Sequence, residues 1–188
     1  FTFRAQQVDR LTSRLALTNG VLHATNAVLD RPEGSATLEA LGFDVKTKRL
    51  YLTNAVGQVD PVAVTRAIGP RTARALEPYR FIAPPKSSVN GWVQTGPGRN
   101  PADLHFEVDG GGFQFSKFKT DDINGDIFWK GHTMMLTNVV SEFYGGELRG
   151  DLFADFDESR SAEIDFHLET KQTELTGFMS LSLIHISE

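Results

Sequence analysis

Residues 131–156, GHTMMLTNVVSEFYGGELRGDLFADF, constrain this chain more than any other stretch: two alternating apolar runs flank a Gly145-Gly146 pair. Glycine reaches φ > 0 without steric cost, and a two-residue hairpin turn demands that geometry. With Tyr144 and Glu147 flanking a loop of Gly145-Gly146, the register is set. Phe143 then faces Leu148, Val139 faces Leu152 and Met135 faces Phe156 on one face. On the other face Glu142 meets Arg149, an opposite-charge cross-strand pair.

The rest of the chain repeats that pattern. Phe1/Phe3/Ala5 alternate with Thr2/Arg4/Gln6, and Leu15/Leu17 with Arg14/Ala16/Thr18. Arg31-Pro32-Glu33-Gly34 reads as a turn, and Leu38 to Leu52 as two strands around Lys46 to Lys48. Leu104/Phe106/Val108 alternate with Asp103/His105/Glu107; three glycines, Gly110 to Gly112, then turn the chain into Phe113/Phe115. A parity slip before Phe118 predicts a bulge near Ser116-Lys117. Ile123/Ile127/Trp129 come next, and Ala162/Ile164/Phe166/Leu168 alternate with Glu163/Asp165/His167/Glu169. A short phrase recurs four times: LTNGV at 17–21, ATNAV at 24–28, LTNAV at 52–56 and LTNVV at 136–140. Asn tolerates the left-handed region, so each copy marks a turn or a strand end.

One helix start stands out. Asp60-Pro61 offers an N-cap Asp with Pro at the first helical position. Gly69-Pro70, Pro78 and Pro84-Pro85 keep that helix short. The expected order is a first β section at 1–59, a short helical insert at 60–79 and a second β section at 80–180. Residues 181–188, LSLIHISE, resemble a translated sequencing-library adapter and are read as a non-native tail. The first residue is Phe1, already in strand pattern, so any membrane anchor is expected upstream.

Composition excludes several function classes. Net charge is −5 and no Lys/Arg run exceeds two residues, which argues against nucleic acid as a partner. With no cysteine there is no disulfide framework and no thiolate chemistry. The histidines His23, His105 and His167 sit at polar parity between apolar neighbours and are read as outward and solvated. His132 falls in a turn. A zinc site needs three or four converging ligands, and the linear sequence shows no such set. Asp122-Ile123-Asn124-Gly125-Asp126 misses the calcium-loop spacing, since Gly precedes Asp126 and the twelfth position is Thr133; it reads as a polar turn. Asp155, Asp157 and Glu158 read as a solvated corner. No serine occupies a G-x-S-x-G elbow, and neither Gly96-Pro97-Gly98 nor Gly110-Gly111-Gly112 leads into a helix. The chain is therefore expected to be no enzyme, with no catalytic residue, metal or cofactor.

The open question is what covers the apolar face, which draws on 14 Phe against 3 Tyr and 2 Trp. The fold class is mainly β: an antiparallel meander with one short helical insert. A meander with one apolar side folds on itself as a β-sandwich, gains a helical cover, or curves into a groove around something apolar. The helical inventory at 61–76 is too small to cover it. A closed sandwich fits a structural or protein-binding module; a groove fits acyl chains. A glycan-binding domain would want exposed Trp beside carboxylates, and Trp92 and Trp129 are the only tryptophans.

A resemblance bears on this choice. Gly91-Trp92, the Trp129-Lys130-Gly131 turn and above all LTNVVSEFYGGELRGD at 136–151, with an alternating strand after it ending in Glu169-Thr170, resemble the C-terminal region of AsmA-like envelope proteins (the AsmA/TamB/YhdP type). The resemblance covers 88–176 well and the first half loosely. It implies a β-rich periplasmic body, anchored in the inner membrane by an N-terminal helix, with an elongated groove associated with phospholipid movement and outer-membrane assembly. Phospholipid acyl chains and other envelope proteins are the partners it implies. On this reading Leu104, Phe106, Val108, Phe113, Phe115, Phe143, Leu148, Leu152, Phe156, Ile164, Phe166 and Leu168 line the groove.

Overall fold

The computed structural model describes residues 2–3, 6–32, 34–58, 60–62, 79–95, 101–115, 118–155 and 163–174. Its strands are β1 (Thr2–Phe3), β2 (Gln6–Gln7), β3 (Arg10–Thr18), β4 (Val21–Arg31), β5 (Gly34–Asp44), β6 (Arg49–Gln58), β7 (Tyr79–Phe81), β8 (Lys86–Gln94), β9 (Ala102–Asp109), β10 (Phe113–Phe115), β11 (Phe118–Thr120), β12 (Asp122–Lys130), β13 (Thr133–Phe143), β14 (Gly146–Asp155) and β15 (Glu163–Lys171).

Ten of them form one open antiparallel sheet in the order β15-β14-β13-β12-β9-β8-β6-β5-β4-β3. Of the other five described strands, β7, β10 and β11 form a three-stranded sheet in the order β11-β10-β7, and β1 pairs with β2. The fold is thus the curved meander and not a closed sandwich, with β3 and β15 at opposite edges. β6 pairs directly with β8, so both β sections join one sheet. The expected helix start is present: the Val62 N–H donates to Asp60 Oδ1 at 2.9 Å, and Pro61 and Val62 are helical. Residues 63–78 lie outside the described residues, and Tyr79, expected within the insert, begins β7.

The recurrent Thr-Asn phrase has one backbone meaning. Asn19, Asn26, Asn54 and Asn138 all have left-handed φ, between 46° and 55°. Asn19 forms a two-residue turn with Gly20, since Thr18 pairs with Val21. The other three sit inside strands, where the ladder slips by one residue. Ser13 of β3 opposes Asn26-Ala27, Asn90 of β8 opposes Thr53-Asn54, and Asp151 of β14 opposes Thr137-Asn138. These are β-bulges, which bend and twist the strand that carries them.

The hairpin at 131–156 forms, but in another register. Phe143 pairs with Gly146, so the turn residues are Tyr144 and Gly145, with φ of 46° and 75°. Gly146 is needed inside the strand instead: a Cβ there would lie 2.3 Å from the Lys171 carbonyl oxygen. The pair expected between Glu142 and Arg149 is replaced by Glu142 with Glu147, and Arg149 bonds Glu147 within its own strand. Val139 faces Gly150, not Leu152. Beyond the bulge at Asn138 the parity inverts, so Met135 faces Phe153 on the polar side; Phe156 lies outside the described residues. The slip near the turn is two residues and keeps faces; the bulge adds one and exchanges them.

Two further expectations change. The stretch 122–126 is no turn: it opens β12, where Gly125 passes the β13 bulge. A Cβ on Gly125 would stand 3.1 Å from the Thr137 carbonyl oxygen and 3.2 Å from the Val139 Cα. The bulge expected near Ser116-Lys117 lies outside the described residues; on either side, Phe115 pairs with Phe118. The core sits mid-sheet, where Val93, Ala102 and Leu104 are buried against Leu50, Leu52, Val89, Phe106 and Trp129.

Candidate functional site

Opposed residues in an antiparallel ladder share a face, so the register alone defines the two surfaces of the sheet. One row crosses all ten strands: Leu15, Ala24, Leu41, Leu52, Gly91, Leu104, Trp129, Met134, Ala154 and Ile164. The neighbouring row, from β4 to β15, runs Ala27, Leu38, Ala55, Val89, Phe106, Ile127, Leu136, Leu152 and Phe166. Neither row contains a charged or amide side chain. The bulges at Asn26 and Asn54 fall between the two rows, so that Ala24 and Ala27, and Leu52 and Ala55, keep one face; the bulge at Asn138 does the same for Leu136 and Val139.

Burial varies along this face. Leu104 at the centre is 2 % exposed, whereas Leu15 at one edge is 67 % and Phe166 at the other is 62 % exposed. Leu11, Leu17, Ile164 and Leu168 are also exposed. The uncovered apolar side chains of this face thus lie at the two edges of the sheet, and exposed apolar patches mark surfaces that meet something apolar.

The structure distributes the sequence-derived lining residues unevenly. Leu104, Phe106, Leu152, Ile164 and Phe166 belong to the two rows. Val108 and Leu168 extend the same face, opposite Gly125 and Gly150. Phe143 and Leu148 lie on it too, buried beside the Tyr144-Gly145 turn. Phe113 and Phe115 do not join them: both are on β10, in the small sheet, because the glycines at 110–112 divert the chain out of the meander. Phe156 is outside the described residues. Sequence reading missed the whole first half of the face. The alternation of Leu41/Phe43 and Leu50/Leu52 was the available signal.

The opposite face is mixed: it exposes Phe128, Met135 and Phe153 in one row and carries a compact polar cluster beside them. His105 Nε2 lies 2.9 Å from Asp126 Oδ1, and its ring stacks on Phe128 with centroids 4.4 Å apart. His105 is therefore outward, as its parity indicates, but half-buried and engaged. Asn138 Nδ2 donates to Asp126 Oδ2 at 3.3 Å, and Ser88 Oγ to Glu107 Oε2 at 3.1 Å. The hydrogen bonds from His105, then from Asn138, hold the Asp126 carboxyl below the usual aspartate range. Elsewhere, Asp155 is no solvated corner: it is 4 % exposed and bonded to His132 Nδ1 at 2.8 Å. Asp157 and Glu158 lie outside the described residues.

Comparison with known proteins gives no matching family model, no matching curated protein and no matching solved structure.

Proposed function

We propose that this chain is a non-enzymatic segment of an envelope protein whose apolar sheet face shields phospholipid acyl chains while the headgroups stay in water. One observation carries the reading: an unbroken apolar row spans ten paired strands and ends in exposed leucine and isoleucine at its two edges. At about 25 cal/mol per Å², covering about 300 Å² of acyl chain contributes about 7 kcal/mol before ordering costs. The interaction is non-directional, so two apolar rows without a charged or amide side chain suit many acyl chains equally. The AsmA-like resemblance at 136–151 supports the same reading and adds a periplasmic setting, an inner-membrane anchor upstream and a part in lipid transport and outer-membrane assembly.

Native mass spectrometry tests it. The chain is incubated with vesicles of phosphatidylethanolamine and phosphatidylglycerol, and separated from them before ionisation. Discrete added masses matching intact phospholipids are expected. A folded monomer that emerges free of lipid overturns the proposal and leaves the face as a contact for protein.

A further inference from the structure

The linear order of His105, Glu107 and Asp126 hides their convergence. His105 and Glu107 are two apart on β9 and share its polar face, while the ladder sets Asp126 of β12 directly opposite Glu107. One potential ligand atom from each lies within 4.8 Å of the other two. Zinc holds imidazole nitrogen and carboxylate oxygen at about 2.0–2.2 Å, which spaces its ligand atoms about 3.3 Å apart. Small side-chain rotations would bring the atoms to that spacing with the β9–β12 ladder in place.

The neighbours fix the three groups. Stacking on Phe128, with an interplanar angle of 1°, sets the plane in which the His105 nitrogens point. Each carboxylate is anchored through one oxygen by a neutral donor, Glu107 by Ser88 and Asp126 by Asn138, while the other Asp126 oxygen, Oδ1, faces His105 Nε2 at 2.9 Å. Such outer donors orient metal ligands in folded proteins. We propose that His105, Glu107 and Asp126 bind a single divalent transition ion of the zinc type, tying β9 to β12 on the polar face. One nitrogen and two carboxylates suit such an ion and leave a coordination position for water. The ion takes the place of the hydrogen bond between His105 Nε2 and Asp126 Oδ1, with the neutral imidazole carrying its proton on Nδ1. This site lies on the face opposite the apolar rows, so it stands or falls independently of lipid binding.

Calorimetric titration of the whole chain with zinc chloride at neutral pH decides the matter. One saturable equivalent is expected, together with a rise in Tm. Glu107→Gln and His105→Gln are expected to weaken binding at least about tenfold, the scale seen when even an outer partner of a metal ligand is lost. His132→Gln and His167→Gln serve as controls and should bind as the parent does. Circular dichroism checks folding; Glu107 is exposed, so its variant decides alone if His105→Gln unfolds. Absence of a saturable equivalent in the parent chain, or equal affinity in Glu107→Gln, overturns the proposal. So does loss of binding in either control.

Discussion

The backbone N–H of Asn138 donates to Oδ1 of Asp151 at 3.0 Å, across the β13–β14 ladder. The relation recurs at the β6 bulge, where the Asn54 N–H donates to Asn90 Oδ1 at 2.8 Å. In both places a left-handed Asn leaves the ladder and the facing side chain takes up its amide. The bulge thus costs no unpaired donor.

That pairing predicts how position 138 tolerates change. A β-branched residue at left-handed φ costs about 1–2 kcal/mol, whereas glycine adopts it freely. Asn138→Val should therefore lower stability by about 1–2 kcal/mol in urea unfolding, and Asn138→Gly by a few tenths. Equal stability of both variants would show that the bulge does not need this conformation.

Two glycines separate the sheet centre from its edge. A Cβ at Gly91 would stand 2.0 Å from the Asp103 carbonyl oxygen, at φ +121°, between β8 and β9. Gly91→Ala should cost at least about 2 kcal/mol through overlap and backbone strain. At Gly150 a Cβ would stand 2.0 Å from the His167 carbonyl oxygen. Gly150→Ala should release β15 while the rest stays folded, read as amide exchange protection lost over 163–171 alone.

Charge placed on the apolar face should act according to depth. Leu104→Asp buries an unpaired carboxylate and should cost at least about 3 kcal/mol. Phe166→Asp lies at an exposed edge, where surface substitutions stay within about 0.5 kcal/mol, yet it should reduce phospholipid retention in native mass spectrometry. A folded Phe166→Asp chain with undiminished lipid would argue against acyl chains at this edge.

The Asp126 carboxyl gives a pH signature. Its folded pKa is depressed by His105 and then Asn138, so the pair contributes stability above the unfolded aspartate pKa. That contribution is lost as pH falls through the folded value, below the usual aspartate range. Carbon-detected NMR of the side-chain carboxyl should show the low midpoint, and His105→Ala should move it upward. An unmoved midpoint would assign the depression elsewhere.

Much of this architecture is legible in the sequence because strand periodicity is local. The alternation at 104–108 and at 162–168 marks strands whose apolar side is visible in the chain itself, and Asp60-Pro61 carries its helix start within two residues. Register is less legible. Gly145-Gly146 has the composition of a turn, but Gly146 is glycine because β15 and the residues after it crowd that point, a contact distant in sequence. The Thr-Asn phrase is visible, yet reading it as strand ends is wrong for three of its four copies, which keep the strand going through a bulge.

By itself the sequence determined the meander, its short turns and the presence of one apolar face, because side-chain alternation and positive-φ residues act over a few positions. Tertiary structure alone decided that this face is continuous over ten strands, since only the bulges bring Leu136 and Val139, or Ala24 and Ala27, to the same side. It also decided that Phe113 and Phe115 leave the sheet, and that His105, Glu107 and Asp126 meet. Those outcomes depend on which residue lies opposite which, and an antiparallel ladder sets that through contacts between distant parts of the chain.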